Sequence, residues 1–472
     1  MIKQPKPFYM IFFVEMWERF GFYGMQAIMT VYLVQKMGFS DAQSFNVWSA
    51  FSALIYAVIA IGGYVGDKIL GTKRTMLLGA VFLAAGYSIV GMASTQAMYF
   101  GMGLIVAGNC FFKANPSSLL SKCYEENDPR LDGAFTLYYM AINIGSFFSM
   151  VLSPIVASHY GWQAGFTMSS VGLVAGVINY YFFHKTVKKI DSEPGLCPMN
   201  FGKFLLVILG GIVLAGVTSF VLRHIIIAHI ALTFVGLTIL FFFFKEILRV
   251  QGAARSRLIA ALVLILQGMV FFLLYQQMPT SLNFYAINNV QHSLLGFAVN
   301  PLSFQALNGF WIFVMSPLLA WAYTKLGQRN ADLSMPSKFT FGMLLCAISF
   351  IMLYFSRFFG NANGVVSSWW IVGSYFFQST GELLVSGLGL AMVARLVPQR
   401  MMGFIMGAWF MGAATGMILG GFVAGMTSVT ASAVGTVSLD LYSSVFLKIG
   451  LVTLLITLFM AALIPTLKKM MQ

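Results

Sequence analysis

Fourteen apolar stretches of membrane-spanning length follow one another along the 472 residues, and they leave few architectures open. A helix needs about 20 consecutive apolar residues to cross the hydrocarbon of a bilayer. Lipid offers the backbone no hydrogen-bond partner, so stretches of this length cross as α-helices. They fall near 8–35, 45–66, 75–96, 98–121, 134–158, 163–184, 204–222, 226–244, 257–288, 304–325, 338–358, 367–394, 401–426 and 442–466. Hydrophobic residues make up 59% of the chain and charged residues 9%, whereas soluble domains carry roughly 25% charge. The expectation is an all-α integral membrane protein.

The loops set its orientation. With both termini in the cytoplasm, the cytoplasmic loops and tails hold twenty-two of the 28 Lys and Arg residues. The other side holds Lys36, Arg223, Arg357 and Lys448, the asymmetry expected of a cytoplasmic membrane protein. A miscount of one helix would destroy this split, so the number of spans is even. The net charge of +14 is thus topological and calls for no nucleic-acid partner. Two groups of six spans, 1–185 and 257–472, flank a linker, 186–256, with two further helices free of mid-span charge. Six plus two plus six suggests two homologous bundles around a central site, as in many secondary transporters. No cleavable signal sequence is expected, because the first apolar stretch carries three ionisable residues.

Few charges remain at membrane depth: Glu15, Glu18 and Arg19 in the first span, Lys113 in the 98–121 span and Glu382 in the 367–394 span. Glu15, Glu18 and Arg19 stand at i, i+3 and i+4, on one helix face that Tyr23 and Gln26 continue. Charges in a membrane helix face a bundle interior or a watery cavity, and default to function. Glu15 or Glu18 can pair with Arg19 or with Lys113. Either pairing would serve as a structural lock or as a proton relay. A basic site opposed to an acidic one suits a zwitterion. Asp67, in GGYVGDKILGTKR (Gly62–Arg74), can accept helix-terminal donors or pair with Lys73 and Arg74, which favours an inter-helix structural latch over a substrate contact. Pro116, Pro154, Pro279 and Pro317 interrupt spans as candidate hinges. His159, His184, His224, His229 and His292 sit near helix ends or in loops, and Cys110, Cys123, Cys197 and Cys346 are scattered. No metal site, cofactor site or nucleophile–base set is expected, and so no enzyme.

At EMWERFGFYG (Glu15–Gly24) the chain resembles the E-x-x-E-R-F-x-Y-Y signature of the proton-dependent oligopeptide transporter family of the major facilitator superfamily. GGYVGDKILGTKR, FFKANPSSLLSKCYEENDPRLDGAFTLYYMAINIGSFFS and QSTGELLVSGLGLAMVARLVPQR extend the resemblance over essentially the whole length, and most closely to bacterial dipeptide/tripeptide permeases. The resemblance implies a major facilitator fold, a proton symporter for di- and tripeptides working by alternating access, and function as a monomer in a bacterial inner membrane. It implies that Glu15, Glu18, Arg19 and Lys113 couple protons. Arg19 and Lys113 would also attract the peptide carboxylate, and Glu382 the amino group. Tyr23, Tyr56, Tyr139, Asn143, Asn308, Ser386 and Trp409 would line the peptide pocket. The chain departs from the pattern at Phe22, where the signature has Tyr, and at Gln26 and Gln276, where many members carry an Arg and an acidic residue that would pair as an outer gate. The rival readings are a transporter of another anion or drug on the same scaffold, a membrane enzyme or structural membrane protein, and a receptor-like peptide binder.

Overall fold

The computed structural model describes residues 4–125, 128, 130–329, 333–396, 402–428 and 435–471. Lys3, Arg400 and parts of two of the motifs (Glu126, Asn127 and Pro129; Val397–Gln399) lie outside the described residues. The chain divides into two compact units, Met1–Phe39 with Leu54–Ile227, and Ser40–Ala53 with Ala228–Gln472.

The first unit holds α1 (Lys6–Gln35), the later part of α2 (Asp41–Val65), α3 (Thr72–Val90), α4 (Thr95–Phe112), α5 (Asn115–Ser121), α6 (Leu131–Tyr160), α7 (Trp162–Phe183), the short α8 (Glu193–Leu196) and α9 (Phe201–Arg223). α1 packs on α6 and α7, and α4 on α3 and α9. Small residues set these approaches, as is general where helices meet in lipid. A Cβ on Gly145 of α6 would strike the Met16 carbonyl of α1, so only glycine allows the two backbones this close.

The 98–121 stretch, read as one span, is two helices. Pro116 cannot donate to the Phe112 carbonyl and its ring crowds that turn, so α4 ends at Phe112 with Lys113 as its C-cap. Asn115 braces the turn beside the break. Its side chain donates to the carbonyls of Phe111 (2.6 Å) and of Gly62 on α2 (3.3 Å). Pro279 acts likewise on the 257–288 stretch, separating α11 (Gly252–Tyr275) from α12 (Ser281–Asn289). Pro154 and Pro317, by contrast, sit inside helices that continue through them.

After α2 a π-helical turn, Gly66–Leu70, leads to Gly71 at φ +102°. A Cβ there would meet Gly195, because the chain after α7 folds back beneath this turn. Asp191 accepts from the Thr72 amide (2.7 Å) and Ser192 donates to the Gly66 carbonyl (2.6 Å). This contact takes up the partners expected for Asp67 and leaves the latch to another. Lys73 reaches Asp191 (3.6 Å) and the Val187 carbonyl (2.7 Å), and Arg74 the carbonyls of Pro194 (3.2 Å) and Cys197 (2.7 Å). Asp67 pairs instead with Lys122 at 3.0 Å.

The second unit holds the first turns of α2, where Phe45 packs on Phe284 (5.0 Å between ring centroids), and α10 (Ile225–Arg249), α11 and α12. A two-residue hairpin follows, β1 (Ser293–Leu294) with β2 (Phe297–Ala298), then α13 (Ala306–Gln328), α14 (Met335–Phe355), α15 (Trp369–Leu396), α16 (Met402–Gly425) and α17 (Thr436–Met471). α14 packs on α15 and α17, and α11 on α16.

Among the described residues, twelve helical segments are long and apolar enough to cross a membrane. Two further long helices, α1 and α15, fall outside that set and carry Glu15, Glu18, Arg19 and Glu382. α9 and α10 present large exposed apolar side chains, among them Leu206, Val213, Phe234 and Leu237. Such faces suit lipid, and the protein is an integral membrane protein.

Candidate functional site

In the first unit the charged face of α1 is fully enclosed. Glu15, Glu18 and Arg19 are 3%, 0% and 4% exposed. Helical spacing brings the arginine back over both carboxylates. Its Nε lies 3.3 Å from Glu15 Oε1 across one turn, and the guanidinium also pairs with Glu18. Tyr138, buried on α6, lies within electrostatic reach of Glu15. Tyr87, fully buried on α3, packs on Gly21 and lies within electrostatic reach of Glu18. One oxygen of each carboxylate, Glu15 Oε2 and Glu18 Oε1, has no hydrogen-bond partner. The triad carries one negative charge more than positive, with acceptor capacity in reserve. That arrangement can take up a proton or a further donor.

Lys113 stands apart from the direct pairing expected for it. Arg19 already occupies both glutamates, and the break after α4 turns the Lys113 ammonium over the ring of Tyr56, 4.0 Å from its centroid. The contact is a cation–π interaction. Lys113 remains within electrostatic reach of Glu15, Glu18 and Arg19 without an ion pair to them. Tyr23 and Tyr139 are partly exposed, and Asn143 is buried with its amide on the Tyr139 carbonyl (2.8 Å).

In the second unit Glu382 of α15 accepts from the Asn308 amide of α13 at 2.8 Å, and the same amide reaches Ser379 at 3.1 Å. Ser386 lies one turn beyond Glu382 and is partly exposed. Trp409 is packed into the unit's interior. Its ring fills the space beside Gly268 and Gly389 and meets Phe272 and Phe339 edge-on. Gln276 donates to Ser49 at 3.0 Å, a neutral contact, and Gln26 in the first unit is buried.

Sequence reasoning missed Tyr138 and Tyr87. Tyr138 is the neighbour of a tyrosine it did name, and no spacing rule tells which of two adjacent ring hydroxyls reaches a carboxylate on another helix. Among the described residues no group of His, Cys, Asp and Glu could hold a metal ion.

These features can be set beside known proteins. The family model described as "PTR2: POT family" matches residues 73–439. The dipeptide and tripeptide permease B of Aeromonas hydrophila subsp. hydrophila is 51% identical over 476 residues, covering 100% of this chain and 95% of its own. The dipeptide and tripeptide permease A of Escherichia coli (strain K12) is 50% identical over 473 residues, with 100% and 94% covered. The fold matches the crystal structure of tetrameric PepTSo2 with a TM-score of 0.89 and 38% identity, covering 98% of this chain and 99% of that one. It matches a peptide transporter POT in complex with sulfate with a TM-score of 0.83 and 26% identity, covering 100% and 96%. The family model spans most of the chain and the relatives span all of it, so the chain belongs to the POT family.

Proposed function

We propose that this chain is a secondary active transporter that imports di- and tripeptides together with protons across a bacterial inner membrane. What carries the reading is the buried triad of Glu15, Glu18 and Arg19: two carboxylates answered by one guanidinium, at a depth where an idle charge is strongly disfavoured. One of the two glutamates takes a proton and frees Arg19 from its internal pairs. The freed guanidinium, with Lys113, attracts the peptide carboxylate, while Glu382, oriented by Asn308, attracts the amino group. Tyr23, Tyr56, Tyr139, Asn143, Ser386 and Trp409 shape the peptide pocket. Deprotonation toward the cytoplasm restores the internal pairs and expels the peptide. One charge crossing the membrane supplies about 2.3 kcal/mol per 100 mV.

The architecture proposed with this cycle has fourteen transmembrane helices in a major facilitator layout. Bundles 1–185 and 257–472 are joined by the linker 186–256, both termini are cytoplasmic, and one chain is the transport unit. The deciding measurement is uptake of labelled dialanine into liposomes under an imposed inward proton gradient. Uptake should exceed the gradient-free level, be abolished by a protonophore and be inhibited by tripeptides. Tetrapeptides and single amino acids should compete poorly. N-acetylated dialanine should compete poorly with the wild type, and Glu382→Gln should erase the advantage of the free amine. Flux indifferent to the proton gradient would refute the reading.

A further inference from the structure

Beneath the π-helical turn the first unit encloses a cleft of 410 Å³ that the transport cycle does not use. Its walls come from Lys68, Ile69, Leu70 and Arg74 on one side, and from Glu193 to Lys203 of the chain entering α9 on the other. The ionic side chains around it are neutralised within the fold: Lys73 by Asp191, and Lys122 by Asp67. Those that line it are not. Lys68, Arg74 and Lys203 face a single carboxylate, Glu193. Arg74 is immobilised by the carbonyls of Leu70, Pro194 and Cys197, which fix its position and leave its charge uncancelled. Lys68 and Lys203 are exposed. The first turn of α9 contains no acidic residue, so its amide dipoles add to the positive field.

Met199 of the lining and its sequence neighbours Leu196 and Phe201 have the opposite character. Leu196, Met199 and Phe201 are 58%, 48% and 68% exposed, in a segment that joins apolar helices at their ends. Such side chains belong in the boundary layer of a bilayer. A basic hollow beside exposed apolar side chains matches a ligand with a phosphate at one end and hydrocarbon at the other.

We infer that this cleft binds an anionic phospholipid, its phosphate between Lys68, Arg74 and Lys203 and its glycerol and upper acyl chains against Leu196, Met199 and Phe201. The phosphate alone would also satisfy the lysines; the exposed apolar side chains select the lipid. A lipid so held would tie the start of α9 to the turn between α2 and α3.

The test is native mass spectrometry on the purified, delipidated full chain titrated with dioleoylphosphatidylglycerol or dioleoylphosphatidylcholine. The wild type should bind one phosphatidylglycerol in clear preference to phosphatidylcholine. Each basic side chain near an anionic lipid is worth about a factor of five, so Lys68→Gln/Lys203→Gln should bind phosphatidylglycerol roughly 30-fold more weakly. Both positions are exposed, and the variant should keep its circular dichroism and its phosphatidylcholine occupancy. Leu196→Ser/Phe201→Ser should lose phosphatidylglycerol with the lysines intact. Equal binding of the two lipids by the wild type, or unchanged phosphatidylglycerol affinity in the lysine variant, overturns the proposal. So does displacement of the lipid by millimolar glycerol phosphate, which would make this a site for soluble anions.

Discussion

Glu18 has no measurable exposure, and Arg19 is its ion-pair partner. Removing its charge while keeping its shape leaves the guanidinium with Glu15 alone, and removes a group that can cycle a proton. Glu18→Gln should therefore lose accumulation of peptide driven by a pH gradient while retaining some counterflow, as measured in proteoliposomes. Proton-driven uptake at the wild-type rate would exclude Glu18 from the coupling. Tyr138→Phe makes a subtler change. It removes a hydroxyl from beside the Glu15 carboxylate. Its loss should shift the pH profile of uptake. A profile unmoved in that variant would place Glu15 outside the coupled step. At this scale the sequence was a good guide to which side chains matter, because charge at membrane depth is rare enough to identify itself. It was a poor guide to who touches whom: Asp67 and Lys113 both have partners that spacing along one helix could not name.

Among the elements, α1 and α6 meet where Gly145 admits the Met16 carbonyl. Gly145→Val would place two methyl groups on that carbonyl. Overpacking of this kind typically destabilises by about 1–3 kcal/mol, so a lower melting temperature in detergent is expected, with Glu15 and Tyr138 pushed apart. A variant that melts with the wild type would show that the helices part without loss. Helix lengths were readable from hydropathy because lipid enforces them. The interruptions at Lys113–Ala114 and at Gln276–Thr280 were marked by their prolines, yet the same residue inside α6 and α13 left those helices whole. The difference lies in the surroundings. At the first break the Asn115 side chain takes the neighbouring Phe111 carbonyl, a compensation no local rule reports.

For the molecule as a whole, the charge pattern of the loops was legible at once, whereas the folding of residues 187–197 beneath the α2–α3 turn was not. That segment reads as a linker, and the structure pins it through Asp191, Ser192, Lys73 and Arg74. The chain supplies its own probe of sidedness. Cys197 is exposed, Cys123 partly so, and Cys110 and Cys346 are buried. With the orientation proposed above, a membrane-impermeant maleimide should label Cys197 in inside-out vesicles and leave it untouched in intact spheroplasts; labelling in spheroplasts would invert the topology. The self-contained triad of α1 also bears on how the protein is made. Tyr138 emerges some 100 residues after α1 is complete, which at about 5–20 residues per second is a wait of roughly 5–20 s. Tyr87 and Lys113 join α1 within that interval, and before them the guanidinium one turn away already answers the acids. An arginine on the same face lets the opening helix of the chain enter the bilayer nearly neutralised and be finished later by helices not yet translated.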